Sequence, residues 1–264
     1  MGQIGQAFDH ITNNKEITEL SAVLYADSFF CGFWSEDNRL MKSESFPVEE
    51  FDARLKSWNS NYPEADLKIL STKVPYVHLP QSYYDQEYFE DYFKGIFDLR
   101  KRKRHEKELD NFIKEEIHTL HYIDKKVVDS LNSNDLAFKM AHISTAMSNY
   151  CSASDVNLVV FMEGRNLHIV CQKEGTFRFY NQFYCVDVND YLYFILMVIQ
   201  NFGADSADMQ LNIAGEIDRT SKLYTQLRAY FPDMKILDDQ FEISGTVSSP
   251  AQAYFDLFLC KSCV

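Results

Sequence analysis

The sequence predicts an α/β protein built from two similar halves, and three observations carry that prediction. The order strand, strand, strand, helix, strand, helix, strand is read twice along the 264 residues. Hydrophobic residues make up 46% of the chain, with 21 Phe and 16 Tyr, which is ample for a core and too rich for disorder over most of the length. Glycine, at 9, and proline, at 6, are too scarce for the tight turns of an all-β sandwich or a repeat solenoid.

In the first half, residues 1–134, Glu16 to Ala26 reads as a strand, because Leu20, Ala22, Leu24 and Ala26 share one face under period-two counting. Phe29 to Trp34 and Arg39 to Phe46 are the next two strands. Pro47 opens a helix over Val48 to Asn61, with Phe51, Leu55 and Trp58 at helical spacing. Leu67 to Leu79 is extended and bounded by Pro80. Asp85 can cap a helix carrying Tyr88, Phe89, Tyr92, Phe93 and Ile96. A charged stretch runs from Asp98 to Asp110. Ile117 to Ile123 is a strand and Asp124 to Leu131 a short helix.

The second half, residues 135–264, opens with a helix from Asp135 to about Tyr150 that links the halves. Val156 to Met162, Leu167 to Cys171 and Phe177 to Tyr184 form a meander turning at Glu163–Asn166 and near Gly175. Asp187 caps an apolar helix over Tyr191 to Phe202, stopped by Gly203. Met209 to Ala214 is a strand closed by Gly215, Thr220 caps a helix through Tyr230, and Lys235 to Leu237 is a last short strand. Pro250 opens a final helix to about Cys260. The halves share element order and no evident residue identity.

Charge and cysteine usage bound the function classes. The net charge of −13 repels nucleic acid on average. The basic run Arg100 to Arg104 has no interleaved aromatics and reads as a solvated helix end or linker, with a docking patch for an acidic partner as its alternative. Cys31, Cys151, Cys171, Cys185, Cys260 and Cys263 are scattered, mostly in apolar segments. The terminal C-x-x-C of Cys260 and Cys263 lacks the context of a redox or zinc site. Met1 to Asn14 carries no secretory pattern, and Tyr191 to Ile199 is half a membrane span. These features predict a cytoplasmic protein with no membrane and no nucleic-acid partner. His118 and His121, three apart in a strand, face opposite sides, and His168 lies within a strand; each reads as packed.

The segments Val77–Phe93 (VHLPQSYYDQEYFEDYF), Gly175–Gly203 and Leu211–Pro232 resemble a bacterial family known as domain of unknown function family 3822. The doubled order resembles the actin-like ATPase fold of two ribonuclease H-like lobes, βββαβαβ each. In that fold a nucleotide is held by the turn between the first two strands of each lobe, with small residues approaching phosphate and an Asp holding the metal. The resemblance implies Asp27 and Ser28 in the first half, Glu163 and Gly164 in the second, and Gly215 on the adenosine side as the candidate nucleotide contacts.

Each of these turns departs from the pattern. The first lacks glycine and is followed by Phe29 and Phe30, where a phosphate would need room. The second offers Glu163 where an Asp is expected. The third reduces to Gly215 before Glu216, a carboxylate unfavourable to an anion. The expectation is therefore a non-catalytic interaction or scaffold protein on a degenerate actin-like fold, needing no cofactor, with ATP and magnesium binding as the alternative. A metal-dependent nuclease using Asp27, Glu163 and Glu216 is the third class. Tyr83, Tyr84, Tyr88, Phe89, Tyr92 and Phe93 exceed what one buried helix face needs, so part of that segment is expected to contact a protein partner or a second copy.

Overall fold

An antiparallel meander opens the structure: β1 (Ile17–Leu24), β2 (Ser28–Ser35) and β3 (Arg39–Pro47). The computed structural model describes residues 16–72, 75–96, 105–111, 116–134, 137–154, 156–202, 210–244, 247 and 249–264. A 3-10 turn at Val48–Glu50 leads into α1 (Phe51–Asn61), which buries Phe51, Leu55 and Trp58 at the predicted spacing. β4 (Asp66–Ser71) then pairs parallel to β1. The chain next builds a separate antiparallel sheet from β5 (Tyr76–Pro80), β6 (His105–Asn111) and β7 (Ile117–Asp124), with β7 in the middle. It returns through α2 (Lys125–Ser133), capped when the Asp124 carboxylate accepts from Lys126 N, to β8 (Phe138–His142), parallel to β4. α3 (Ile143–Ser154) follows.

The second meander is β9 (Leu158–Glu163), β10 (Asn166–Lys173) and β11 (Thr176–Tyr184). α4 (Val188–Asn201) starts in a capping box of Asp187 and Asp190, and its Ile195, Val198 and Ile199 are buried. β12 (Asn212–Gly215) pairs parallel to β9, α5 (Lys222–Tyr230) is capped by Ser221, and β13 (Lys235–Ile236) pairs parallel to β12. β14 (Glu242–Ile243) joins the outer side of β3, and α6 (Phe255–Cys263) ends the chain.

The residues divide into two units. Unit 1 runs through Ala146 and takes back Phe241–Ser248 and Leu257–Val264; unit 2 is Met147–Gln240 with Ser249–Asp256. The sheet of unit 1 has the order β14-β3-β2-β1-β4-β8 and that of unit 2 the order β11-β10-β9-β12-β13. Without β14, both read third, second, first, fourth, fifth strand. The expected boundary between 134 and 135 thus differs from this division, most plainly at the C-terminus. Most of α6 belongs to unit 1 because Cys260 Sγ reaches Lys68 O at 3.3 Å, and the Lys68 ammonium donates to Lys261 O.

Pairing makes the two units equivalent residue by residue. Leu24 faces Phe29 and Ser71 in unit 1; Met162 faces Leu167 and Gly215 in unit 2. Phe46 and Phe183 take matching places beside Phe29 and Leu167. Even the β-bulge recurs, between Phe33 and Trp34 in one and between Cys171 and Gln172 in the other.

Several sequence expectations are corrected. Leu67 to Leu79 is two strands in different sheets, not one extended run. The aromatic segment after Asp85 is no α-helix within the described residues but 3-10 turns at Gln86–Tyr88 and Asp91–Phe93. Asp85 does cap, accepting from Glu87 N, but Tyr92 Oη then ties Tyr83 O to Asp85 N and folds the segment back on itself. The expected helix from Asp135 is β8 followed by α3, because Phe138 to His142 pairs along β4. Ser221, not Thr220, caps α5. Gly203, Met209, Asp135, Met1 to Asn14 and the basic run Arg100 to Arg104 lie outside the described residues.

Candidate functional site

The turn that would meet phosphate in unit 1 is a two-residue hairpin turn, Ala26–Asp27, closed by Tyr25 N donating to Ser28 O at 2.9 Å. Asp27 is exposed and Ser28 half-buried. The Asp27 carbonyl accepts from Val48 N at 3.1 Å, which ties the turn to the end of β3. Phe29 does not stand over the turn as the sequence suggested. It is fully buried and stacks on Phe51 with ring centroids 4.1 Å apart, because strand alternation sends the residue after Ser28 into the core.

The matching turn of unit 2 is Gly164–Arg165, and Gly164 has φ +55°, a left-handed conformation that favours glycine. Its carbonyl accepts from Tyr191 Oη at 2.6 Å, and Cys185 N donates to Arg165 O at 2.8 Å. That last bond is the counterpart of Val48 N to Asp27 O. Asp27 is therefore equivalent to Arg165, while Glu163 is equivalent to Tyr25. The two candidate carboxylates hold different places in their repeats.

Glu163 is also already engaged. Its Oε2 lies 3.1 Å from His168 Nε2, its Oε1 accepts from Asn166 Nδ2, and His168 Nδ1 lies 2.8 Å from Tyr180 Oη. His168 is thus a satisfied core histidine, as its place in a strand suggested. Gly215, with φ +91°, meets its own protein: a Cβ there would fall 2.1 Å from Met162 O. Glu216 N closes the approach by donating to Met162 O at 2.9 Å, as Thr72 N does to Leu24 O at 3.1 Å in unit 1. Within unit 2 the structure therefore brings Glu163, Gly164 and Gly215 to the same end of neighbouring strands, but Glu163 and Gly215 serve the protein itself. These donors do not fit a phosphate cradle or a metal carboxylate. Among the described residues no group of three or more His, Cys, Asp or Glu is arranged to hold a metal ion.

A second polar centre, which sequence reasoning missed, lies in unit 1. Asp110 of β6 is buried; its Oδ1 is 3.2 Å from His121 Nε2, and its Oδ2 accepts from His142 N and from Thr145 Oγ1 at 3.1 Å. Thr145 Oγ1 also lies 2.8 Å from Thr119 Oγ1, and Ser144 Oγ sits between His142 Nδ1 at 2.7 Å and His78 Nε2 at 2.9 Å. Burial pushes the His78 imidazole down to about 4. A hydroxyl between two histidines invites a nucleophile reading, but Ser144 is completely buried, so no substrate reaches it. The centre escaped detection because Asp110 lies in a stretch, His105–Asn111, with a single apolar residue, Leu109. His118 faces away from it, as expected, against the Tyr84 ring.

Among the described residues, Cys31, Cys151, Cys171, Cys185 and Cys260 are buried and form no disulfide, and burial raises the Cys31 and Cys185 thiols, the latter to about 12, which disfavours a reactive thiolate. No described helix is long and apolar enough to cross a membrane.

Comparison with known proteins agrees with this geometry. The model of a family described as "Protein of unknown function (DUF3822)" matches residues 13–234. No curated protein matches the chain. Among solved structures, a Bacteroides thetaiotaomicron protein of actin-like ATPase fold and unknown function superposes with TM-score 0.71 at 18% identity, covering 98% of this chain and all of that one. The PilM-PilN type IV pilus biogenesis complex gives TM-score 0.56 at 7% identity over 93% of this chain and 98% of that one. The ethanolamine utilization protein EutJ of Carboxydothermus hydrogenoformans gives 0.51 at 5% over 93% and 89%. At these identities the likeness establishes the actin-like fold of two ribonuclease H-like lobes and nothing finer.

Proposed function

The chain belongs to the DUF3822 family of proteins of unknown function, and from that premise we propose that it is a non-catalytic interaction or scaffold protein on a degenerate actin-like fold. The observation that supports this reading most is the use of the expected ligand groups by the protein itself: Glu163 by His168 and Asn166, and the space beside Gly215 by Met162 O. The aromatic segment adds to it. Phe89 and Phe93 anchor it in a small core, while Tyr83 and Tyr88 remain 71% and 54% exposed. Exposed tyrosines held on a buried base suit a protein contact, with a partner or a second copy. PilM, which shares the fold, is found in complex with PilN, so a body of this architecture can serve in an assembly.

Isothermal titration of the protein with ATP and magnesium tests the reading. No heat at millimolar ATP supports it. Micromolar binding overturns it in favour of a nucleotide-binding protein, and Asp27→Ala would then show whether the unit 1 turn takes part.

A further inference from the structure

The edge of β11 is built unlike that of β3, its counterpart. Register compares them residue by residue. In unit 1 Cys31 faces Glu44 and Phe33 faces Lys42; at the matching places of unit 2, Ile169 faces Asn181 and Cys171 faces Phe179. β3 thus carries a charge at each place, and β14 covers it, with Arg39 pairing to Glu242 at 2.7 Å. Charges and a covering segment are the usual protections of a sheet edge. β11 has neither: Asn and Phe replace the charges, and among the described residues no strand pairs outside it.

β11 carries instead one end of a row of aromatic rings. The Tyr193 ring lies 5.3 Å from Phe194, Phe194 lies 4.4 Å from Phe183, Phe183 lies 6.3 Å from Phe179, and Phe179 lies 5.7 Å from Phe202. Tyr193 is 62% exposed and the other four are half-buried. Tyr184 and Val186, where β11 ends, are 61% and 68% exposed. Apolar surface this continuous beside an open edge marks a contact. The backbone agrees. Cys185 N donates inward to Arg165 O, so strand alternation puts the Gln182 N–H on the open side. It donates there to Asn181 Oδ1 at 2.9 Å, a side-chain oxygen in the place of a neighbouring strand's carbonyl.

We propose that β11 pairs antiparallel with β11 of a second copy of this chain, joining two five-stranded sheets into one. Charge selects this occupant and this direction. One end of the edge holds Lys173 and Arg178 against Glu174; the other holds Glu163, Asp187 and Asp190 against Arg165. The ends are therefore net positive and net negative. Antiparallel pairing sets the positive end of each copy beside the negative end of the other, whereas parallel pairing would oppose like ends. In a chain of net charge −13, such local complementarity is what lets two copies approach. A twofold axis across the sheet also keeps both aromatic rows on one side, where they meet, and every contact is made twice. This surface lies in unit 2, apart from the Tyr83–Tyr88 segment of unit 1, and it does not depend on the scaffold reading.

Sedimentation velocity of the full chain from about 1 to 100 μM tests the proposal, with wild type expected to be a dimer over most of that range. Phe179→Lys combined with Asn181→Glu gives β11 the charges of β3 and should weaken association at least ~tenfold. Arg178→Asp, at an exposed position, should weaken it about fivefold by setting acidic ends against each other. That variant decides alone should the double variant fail to fold. Weakening of a wild-type dimer by these changes supports the proposal. A wild type that stays monomeric at about 100 μM overturns it, and so does a dimer that neither variant weakens.

Discussion

Units 1 and 2 are one plan executed twice, and the two executions differ where chemistry would reside. Strand order, the bulge and the bonds that close the first turn all match. At matching places stand Asp27 and Arg165, Tyr25 and Glu163, Ser71 and Gly215. After β4, unit 1 inserts a three-stranded sheet, where unit 2 goes from β12 to α5 in a short connection. The outer strand β3 is covered by β14, while β11 is outermost in its sheet. A frame held by backbone hydrogen bonds and a buried core tolerates side-chain change at its turns, so the architecture persists where the ligand groups do not.

The largest expected break in this comparison is Gly215→Ala. A side chain 2.1 Å from Met162 O, at positive φ, cannot be relieved without separating β12 from β9, and we expect unit 2 to lose at least ~3 kcal/mol or fail to fold. Ser71→Ala, at the equivalent place, should be far milder; urea unfolding followed by circular dichroism compares the two, and equal effects would dissolve the equivalence. Phe29→Ala should cost about 4 kcal/mol, and Leu167→Ala, its counterpart, about 3 kcal/mol. A smaller loss at Phe29 would mean that the Phe51 stack does not secure the unit 1 turn.

The pH dependence should separate the units. Trp34 and Trp58, the 2 tryptophans of the chain, both lie in unit 1, so their fluorescence reports on it alone. With the His78 imidazole lower in the folded state, stability is complete above 6.5 and falls as pH drops toward about 4. A urea midpoint by fluorescence that stays flat from pH 7 to 4.5 would contradict this. Glu163→Ala should cost about 2 kcal/mol by leaving His168 Nε2 without its acceptor. Smallest of all, Asp27→Ala and Arg165→Ala should each change stability by less than ~0.5 kcal/mol, since both side chains are exposed; a large effect at either would assign it a task the turn geometry does not show.

The sequence was most legible where periodicity and capping agree. Phe51, Leu55 and Trp58 marked α1, and Asp187 marked the start of α4, because each is a local signal. It was least legible in the inserted sheet. β6 has charged and polar residues at nearly every position, and it is a strand because β7 pairs with it. β8 was hidden in the same way: five residues ahead of a helix read as more helix until the β4 edge claims them. Among the site residues, the departures of the turns from a phosphate-binding pattern were visible in sequence. That Phe29 turns inward, and that Glu163 is held by His168, were not.

The amino-acid order by itself determined the βββαβαβ plan of the second half, the opening βββα of the first, the actin-like class and the departures of the turns from a glycine-rich pattern, because strand alternation, caps and turn residues act over a few neighbours. Only the tertiary structure decided that Asp27 and Glu163 are not equivalent, that Gly215 is required by Met162, and that Asp110, His121, His142 and His78 meet in one buried centre. Those facts depend on strand register and on pairing between distant segments, where a shift of one residue sends every side chain to the opposite face.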